Sequence, residues 1–262
     1  MTAADGDKEY NDTFVDKLEL LWGDGYLSPG GPAEVAAILD GVTVTGRDVL
    51  DIGCGTGGID LALVQDFGAA TVHGLDVEET VIGRAHAAAE AAGLADRVRF
   101  STVEPGPLPI ADAAVDIVFS KDAMIHIPDK AAIYRQILRV LRPGGLFVAS
   151  DWLKGFDQPY SDAMKIWIDA SGLSFEMASV AATEHALSQA GFTDVALVRR
   201  DKWYANEVRY EAERIGGPLK ARAIELIGEA GWRDWMQAKL RAAKLLDSGE
   251  FCPSHIRATK PA

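Results

Sequence analysis

The sequence predicts an α/β fold built on a mostly parallel sheet with helices on both faces, and three features carry that expectation. The apolar residues Val49, Leu50 and Ile52 lead into the turn Gly53-Cys54-Gly55-Thr56-Gly57-Gly58, after which a helical pattern begins at Ile59. A second apolar run, Thr71-Val72-His73-Gly74-Leu75, closes on an acid, Asp76. From there, runs of strand length alternate with helical patterns, the rhythm of βαβ units whose crossovers force parallel strands.

In chain order, helical spacing starts near Asp7 and runs to Trp22, with Phe14, Leu18 and Leu21 on one face. The turn Ser28-Pro29-Gly30-Gly31-Pro32 opens a second helix through Leu39, its proline tolerated in the first turn. Strands are expected near Asp48–Ile52, Thr71–Leu75, Val98–Ser101, Val115–Phe119 and Gly145–Ser150, with helices near Gly58–Gln65, Glu79–Ala92 and Lys130–Leu141. Arg142-Pro143-Gly144-Gly145 is a helix stop feeding the fifth strand. Trp152 to about Ser179 reads as an aromatic-rich insertion containing Phe156, Tyr160, Trp167 and Phe175. A helix near Val180–Ala190, a strand near Val195–Arg199, helical segments from Ala205 to Leu246 and a last strand at Ser254–Thr259 complete the chain. One domain with accessory elements accounts for these segments: a helical lid over 1–40, a binding core over 41–152, a cap insertion over 153–180 and the rest of the sheet with acceptor-side helices over 181–262.

Composition narrows the function. The 262 residues carry a formal net charge of −13 with Lys and Arg scattered. Nucleic acid would require a cationic face that neutralises phosphates, and an anionic membrane surface would require a basic patch, so neither partner is expected. The acidity itself fits solubility. Asp5, Asp7, Lys8 and Glu9 interrupt the N-terminus, and no apolar run is long enough to span a bilayer, so a cytoplasmic protein is expected. Cys54 and Cys252 form neither a disulfide framework nor a metal cluster, and the other candidate ligands are dispersed, so no metal is expected. Cys54 lacks a neighbouring base and reads as a small packing residue.

The glycine turn is the strongest chemical signal. Glycines let the backbone approach a ligand, and the N–H groups of the following helix start face it. The order is D-x-G-x-G-x-G-G with Asp51 at its head, not the G-x-G-x-x-G that precedes a dinucleotide pyrophosphate. An acid there would repel a diphosphate and suit a cationic amino-acid tail. Asp76 stands where doubly wound folds place a ribose-binding acid. Ligands in such folds sit beyond the carboxyl ends of the strands, so Lys121, Asp122 and His126, which follow the fourth strand, should line the cleft. Near-neutral imidazole can take an ammonium proton and expose a nucleophilic lone pair. Asp116, at the head of that strand, reads as a structural acid.

These motifs resemble motif I and its companions in class I S-adenosylmethionine-dependent methyltransferases over about residues 48–151. The resemblance implies a Rossmann-like seven-stranded sheet closed by an antiparallel last strand, S-adenosylmethionine as cofactor and S-adenosylhomocysteine as product. It places Gly53, Gly55 and Gly57 around the methionine moiety, Asp76 on the ribose, Val77 against adenine and Glu104 near the adenine amino group. Tyr10-Asn11-Asp12, Gly25-Tyr26-Leu27-Ser28-Pro29-Gly30-Gly31, Lys121-Asp122-Ala123-Met124-Ile125-His126-Ile127 and His255-Ile256-Arg257-Ala258-Thr259-Lys260 are further similar to phosphoethanolamine N-methyltransferases. That likeness implies a catalytic pair of Tyr10 and His126, with Tyr26, Ser28 and Lys121 on the cofactor side.

The chain departs from that family where phosphate is held: residues 155–198 contain no Arg and a single Lys, Lys165, and Leu173 and Phe175 occupy matching lid positions. Arg257 replaces the family's C-terminal lysine and, with Lys154 or Lys202, would suit a carboxylate better than a dianionic phosphate. Trp152 and Trp167 could box a methylated cation, and Asp122 would face the acceptor. The expected activity is methyl transfer to a small zwitterionic amine, with oligomeric state left open. Alternatives are sulfur methylation of an amino acid such as methionine, phosphoethanolamine N-methylation, carbon or oxygen methylation of a larger lipid or polyketide, a non-catalytic cofactor-binding module and a nicotinamide oxidoreductase.

Overall fold

A computed structural model describes residues 10–262. They form a seven-stranded sheet in the order β3-β2-β1-β4-β5-β7-β6. The strands are β1 (Asp48–Ile52), β2 (Thr71–Asp76), β3 (Val98–Thr102), β4 (Val115–Lys121), β5 (Leu141–Asp151), β6 (Thr193–Arg199) and β7 (Ser254–Thr259). The first five are parallel, and β7 runs antiparallel to both β5 and β6. This is the Rossmann-like methyltransferase sheet the sequence predicts. From β1 the chain moves outward to β2 and β3, then returns to β4 on the other side. That reversal opens a crevice at the carboxyl ends of β1 and β4.

Period-two alternation along β1 builds both faces of the core. Val49 joins a cluster with Val35, Leu63, Ala85 and Phe100, under α2 (Gly31–Ile38), α3 (Gly58–Gln65) and α4 (Glu79–Ala91). Leu50 and Ile52 join Ile133, Tyr134, Ile137 and Leu187, under α5 (Lys130–Val140) and α7 (Val180–Ala190). Each such side chain, fully buried, contributes roughly 1.5–3 kcal/mol of transfer free energy. The same alternation turns Asp51 toward α3, which fixes its surroundings.

Two expectations need adjustment. The first helix, α1, spans Asp12–Trp22, because Asn11 caps it by accepting from Phe14 N at 3.0 Å; the expected start at Asp7 lies outside the described residues. The long C-terminal helical stretch divides into α8 (Asp201–Gly216) and α9 (Lys220–Ser248), which pack together, and α9 is itself broken at Gly228, φ 72°. With α6 (Asp162–Ser171), these helices carry a third apolar cluster, Met164, Trp167, Phe175, Tyr204, Leu246 and Phe251, beyond the strand ends. No helix among the described residues is long and apolar enough to cross a membrane.

Candidate active site

The glycine turn is held from below. Gly53 N and Cys54 N both donate to Leu75 O, at 2.7 and 3.1 Å, and Gly55 N donates to Asp76 Oδ2 at 2.9 Å. Asp76 Oδ1 accepts from Glu78 N at 3.0 Å, which locks the acid at the tip of β2 beside the turn. Burial raises the Asp76 carboxyl above its ordinary range, opposed by those N–H donors. Val77, next in the chain, is 54% exposed, an apolar shelf beside the cleft. Gly53 has φ +78°, and a Cβ there would stand 2.1 Å from Ala123 Cβ, so only glycine fits against the β4 tip.

Asp51 and Asp60, on α3, are both fully buried beneath the turn. Desolvation pushes Asp51 up to about 8 and Asp60 well above its usual value, so near neutrality the pair retains at least one proton. Through that proton the Asp51 and Asp60 side chains hydrogen-bond each other, and Asp51 Oδ1 and the Asp60 oxygens find no other partner among the described residues. An arriving cation would favour the ionised form.

At the β4 tip, Lys121 Nζ donates to Ser28 Oγ at 2.5 Å, to Pro29 O at 3.0 Å and to Asp122 Oδ2 at 3.0 Å. The buried Lys121 ammonium thus pins the loop between α1 and α2 onto the sheet. Asp122, at φ +55°, also accepts from Ser150 Oγ at 3.1 Å and Tyr204 OH at 3.2 Å. It is a node joining β4, β5 and α8 as well as a wall of the cleft. A single 3₁₀ turn, Met124–His126, follows. It is fixed from behind by Ile125 N donating to the buried Asp151 carboxyl at 3.0 Å. His126 Nδ1 lies 2.9 Å from Ser174 O, an acceptor, so Nδ1 carries the proton and Nε2 is the basic nitrogen. The rings of Tyr10 and His126 meet edge to face, centroids 6.3 Å apart.

These two rings close one end of a cavity of about 380 Å³ between α1, α8, α9 and the cap. Its walls are largely aromatic and aliphatic, including Phe14, Trp22, Trp152, Trp167, Phe175 and Phe251. Trp152 and Trp167 stack on each other at 5.8 Å and on Phe251 at 5.2 and 4.9 Å, so they share a packed cluster as well as the wall.

Two expected acceptor contacts fail. Arg257 donates to the carbonyls of Ile38 and Asp40, capping α2 on the face of the sheet away from the cavity. Lys154 donates to Gln158 O at 3.1 Å over the Tyr160 ring, and Lys202 is exposed. Tyr26 is half-buried against the α2–α3 core, and Leu27 covers Gly55 instead. Glu104 is exposed just past β3.

Several residues escaped the sequence reading. Arg84 on α4 binds Asp12, Asp16 and Glu19 at 2.5, 2.7 and 3.3 Å, latching α1 over the crevice. Glu19 Oε1 in turn accepts from Gly25 N and Thr56 Oγ1, both at 3.0 Å. The 12, 16, 19 spacing, one acidic stripe on a helix, was the available signal. Glu34 binds Arg200 and His255, each at 2.6 Å, and ties α2 to β7 and α8.

Fold and crevice together define a class I S-adenosylmethionine-dependent methyltransferase architecture. A family model described as "Methyltransferase domain" matches residues 44–203, and the chain belongs to that family. It is 28% identical over 208 residues to phosphoethanolamine N-methyltransferase 1 of Arabidopsis thaliana, covering 79% of this chain but only 41% of that protein. It is 34% identical to 27-O-demethylrifamycin SV methyltransferase of Amycolatopsis mediterranei (strain S699), over 54% of this chain and 56% of that one. Among solved structures, phosphoethanolamine N-methyltransferase 2 of Haemonchus contortus in complex with S-adenosyl-L-methionine superposes with a TM-score of 0.89 at 24% identity, covering 98% of this chain and 59% of the other.

Proposed function

We propose that this chain transfers the methyl group of S-adenosylmethionine to an amine nitrogen carried on a largely apolar body. The residues present fit the cofactor: a buried acid heads a glycine turn whose glycines leave no room for a Cβ, and Asp76 and the exposed Val77 stand beside it. Asp51, Asp76 and the turn would hold it, and it supplies an electrophilic methyl on a sulfonium. His126 Nε2 takes the proton that frees the amine lone pair, while Tyr10 closes the mouth and the aromatic walls exclude water. Positioning in the cavity supplies the alignment for in-line displacement.

The cavity's lining carries this reading. The relatives named above include amine methyltransferases, which favours nitrogen. Phosphoethanolamine itself is disfavoured: the walls are largely apolar, Arg257 and Lys154 face elsewhere, and Lys239 is committed to Glu211 at 2.6 Å, which leaves Lys17 as the one lining cation outside an ion pair among the described residues. A dianion in that setting would be undersatisfied by several kcal/mol. Methyl-labelled cofactor offered with arylalkyl amines, phosphoethanolamine, methionine and phenols tests this. Label should pass to the arylalkyl amines; preferential labelling of phosphoethanolamine or of a phenol would overturn the assignment.

A further inference from the structure

Four charged side chains besides His126 line the cavity, Lys17, Asp122, Asp234 and Lys239; Asp122 is paired with Lys121 and Lys239 with Glu211, and Lys17 is the cation in no ion pair among the described residues. Lys17 lies on α1 and lines the cavity, with Nζ 4.1 Å from the Phe14 ring centroid and 5.9 Å from that of Trp235. Among the described residues no carboxylate comes within 4 Å of this ammonium, although Asp234 lines the same cavity. Its charged neighbour is Lys239, already paired with the buried Glu211. Burial and the Lys239 charge lower Lys17 to about 8, so it is still largely protonated at neutral pH and has no anion to compensate it. An uncompensated, poorly hydrated ammonium on an aromatic wall is a strong attractor for an anion.

Its position sets a distance. Tyr10, just before α1, packs on Phe14 at 5.3 Å, and Phe14 carries the Lys17 ammonium on its face, so the three follow one another along the cavity wall. With the Tyr10 and Phe14 rings 5.3 Å apart and the ammonium 4.1 Å from the Phe14 ring, Lys17 Nζ stands at most about 9 Å from the Tyr10 ring. We propose that Lys17 anchors a carboxylate on the methyl acceptor, which makes the acceptor an amphipathic amino acid. Its nucleophilic nitrogen lies at the Tyr10–His126 end, its carboxylate at the Lys17 end, and an apolar spacer spanning no more than about 9 Å lies between them. This rests on the methyltransferase reading above and deepens it. One lysine suits a monoanion, and the aromatic wall suits the spacer.

The test compares 4-phenylbutyrate with its uncharged isostere 4-phenylbutyramide by calorimetry at pH 7, on protein with and without S-adenosylhomocysteine. Wild type should bind the carboxylate about tenfold or more tightly than the amide, the ratio for one charge-assisted hydrogen bond. Lys17→Met should bring the two probes to equal affinity, and Lys17→Arg should keep the preference. Equal binding by wild type, a preference surviving in Lys17→Met, or no binding of either probe overturns the assignment. S-adenosylhomocysteine affinity, titrated on the same samples, should be unchanged by either variant. Its loss from wild type would instead reject the methyltransferase reading, independently of the probe result.

Discussion

The ring of Tyr10 stands edge-on to His126, at 83° with centroids 6.3 Å apart, at the point where α1 meets the turn after β4. A residue preceding the first helix thus meets one that lies more than a hundred positions later. His126 Nδ1 meets the Ser174 carbonyl and not the glycine turn, so removing the imidazole tests the proposed base without removing a contact to that turn. His126→Ala is expected to lower kcat with an amine acceptor by about 100-fold. S-adenosylhomocysteine affinity, measured by calorimetry, should stay within about twofold. Near-normal turnover would exclude proton transfer by His126 and favour a thioether acceptor, which has no proton to lose.

Arg84 and Glu19 make a second long-range contact with functional weight. One guanidinium serves three acids on α1, and Glu19 passes the restraint to Gly25 and Thr56 at the glycine turn. Exposed pairs contribute about 0.2–1 kcal/mol singly, so the latch is weak enough to open for ligand exchange. Arg84→Ala should raise the dissociation constant for S-adenosylhomocysteine by about 3–10-fold through this linkage. Hydrogen exchange of the Asp12–Trp22 amides should quicken in step, with little change in the exchange of β1 and β4. Unchanged exchange in α1 would show that the latch does not hold it.

The sheet was legible because its signals are local. Buried parallel strands read as short apolar runs, and glycine, proline and capping residues punctuate them. The placement of Asp51, Asp76 and His126 at or just past strand ends was legible for the same reason, since each belongs to a local motif. Arg257 and Lys154 misled because a charge on a strand or loop looks the same in sequence whichever way it faces. The period of β7 puts Arg257 on the same face as His255, and both meet α2. Lys17 and Arg84 went unread for the converse reason: their roles come from helices that are distant in sequence, and no short motif marks them.

Gly53 and Ala123 offer a direct check on how tightly the turn abuts the β4 tip. Alanine at 53 would adopt φ +78° and drive its Cβ to 2.1 Å from that of Ala123. Left-handed strain of about 1–2 kcal/mol and overpacking of about 1–3 kcal/mol should add. Gly53→Ala is therefore expected to lower unfolding stability by about 2–5 kcal/mol in urea titrations. Combining it with Ala123→Gly should relieve the overpacking part and leave the strain, giving a favourable coupling energy near 1 kcal/mol or more. Strictly additive effects would mean that the two residues do not touch.

Lys17 should reveal itself in stability as well as in binding. Its ammonium is held near 8 in the folded chain, against 10.5 for the ordinary side chain, through desolvation first and Lys239 second. A cation whose affinity for its proton falls on folding weakens the folded state wherever the unfolded chain keeps that proton. Below about pH 8 both states hold it and the penalty is complete; between about 8 and 10.5 only the unfolded chain does, and the penalty fades as pH rises. Lys17→Met should therefore be more stable than wild type at pH 7, by on the order of 2 kcal/mol. That advantage should shrink steadily as the pH rises through 9 toward 10. A saturating carboxylate ligand should close the gap at pH 7 by stabilising wild type alone. Denaturant titrations of both proteins at pH 7, 8.5 and 10 measure this, and an advantage that does not depend on pH would mean the ammonium is hydrated instead of stranded in the cavity.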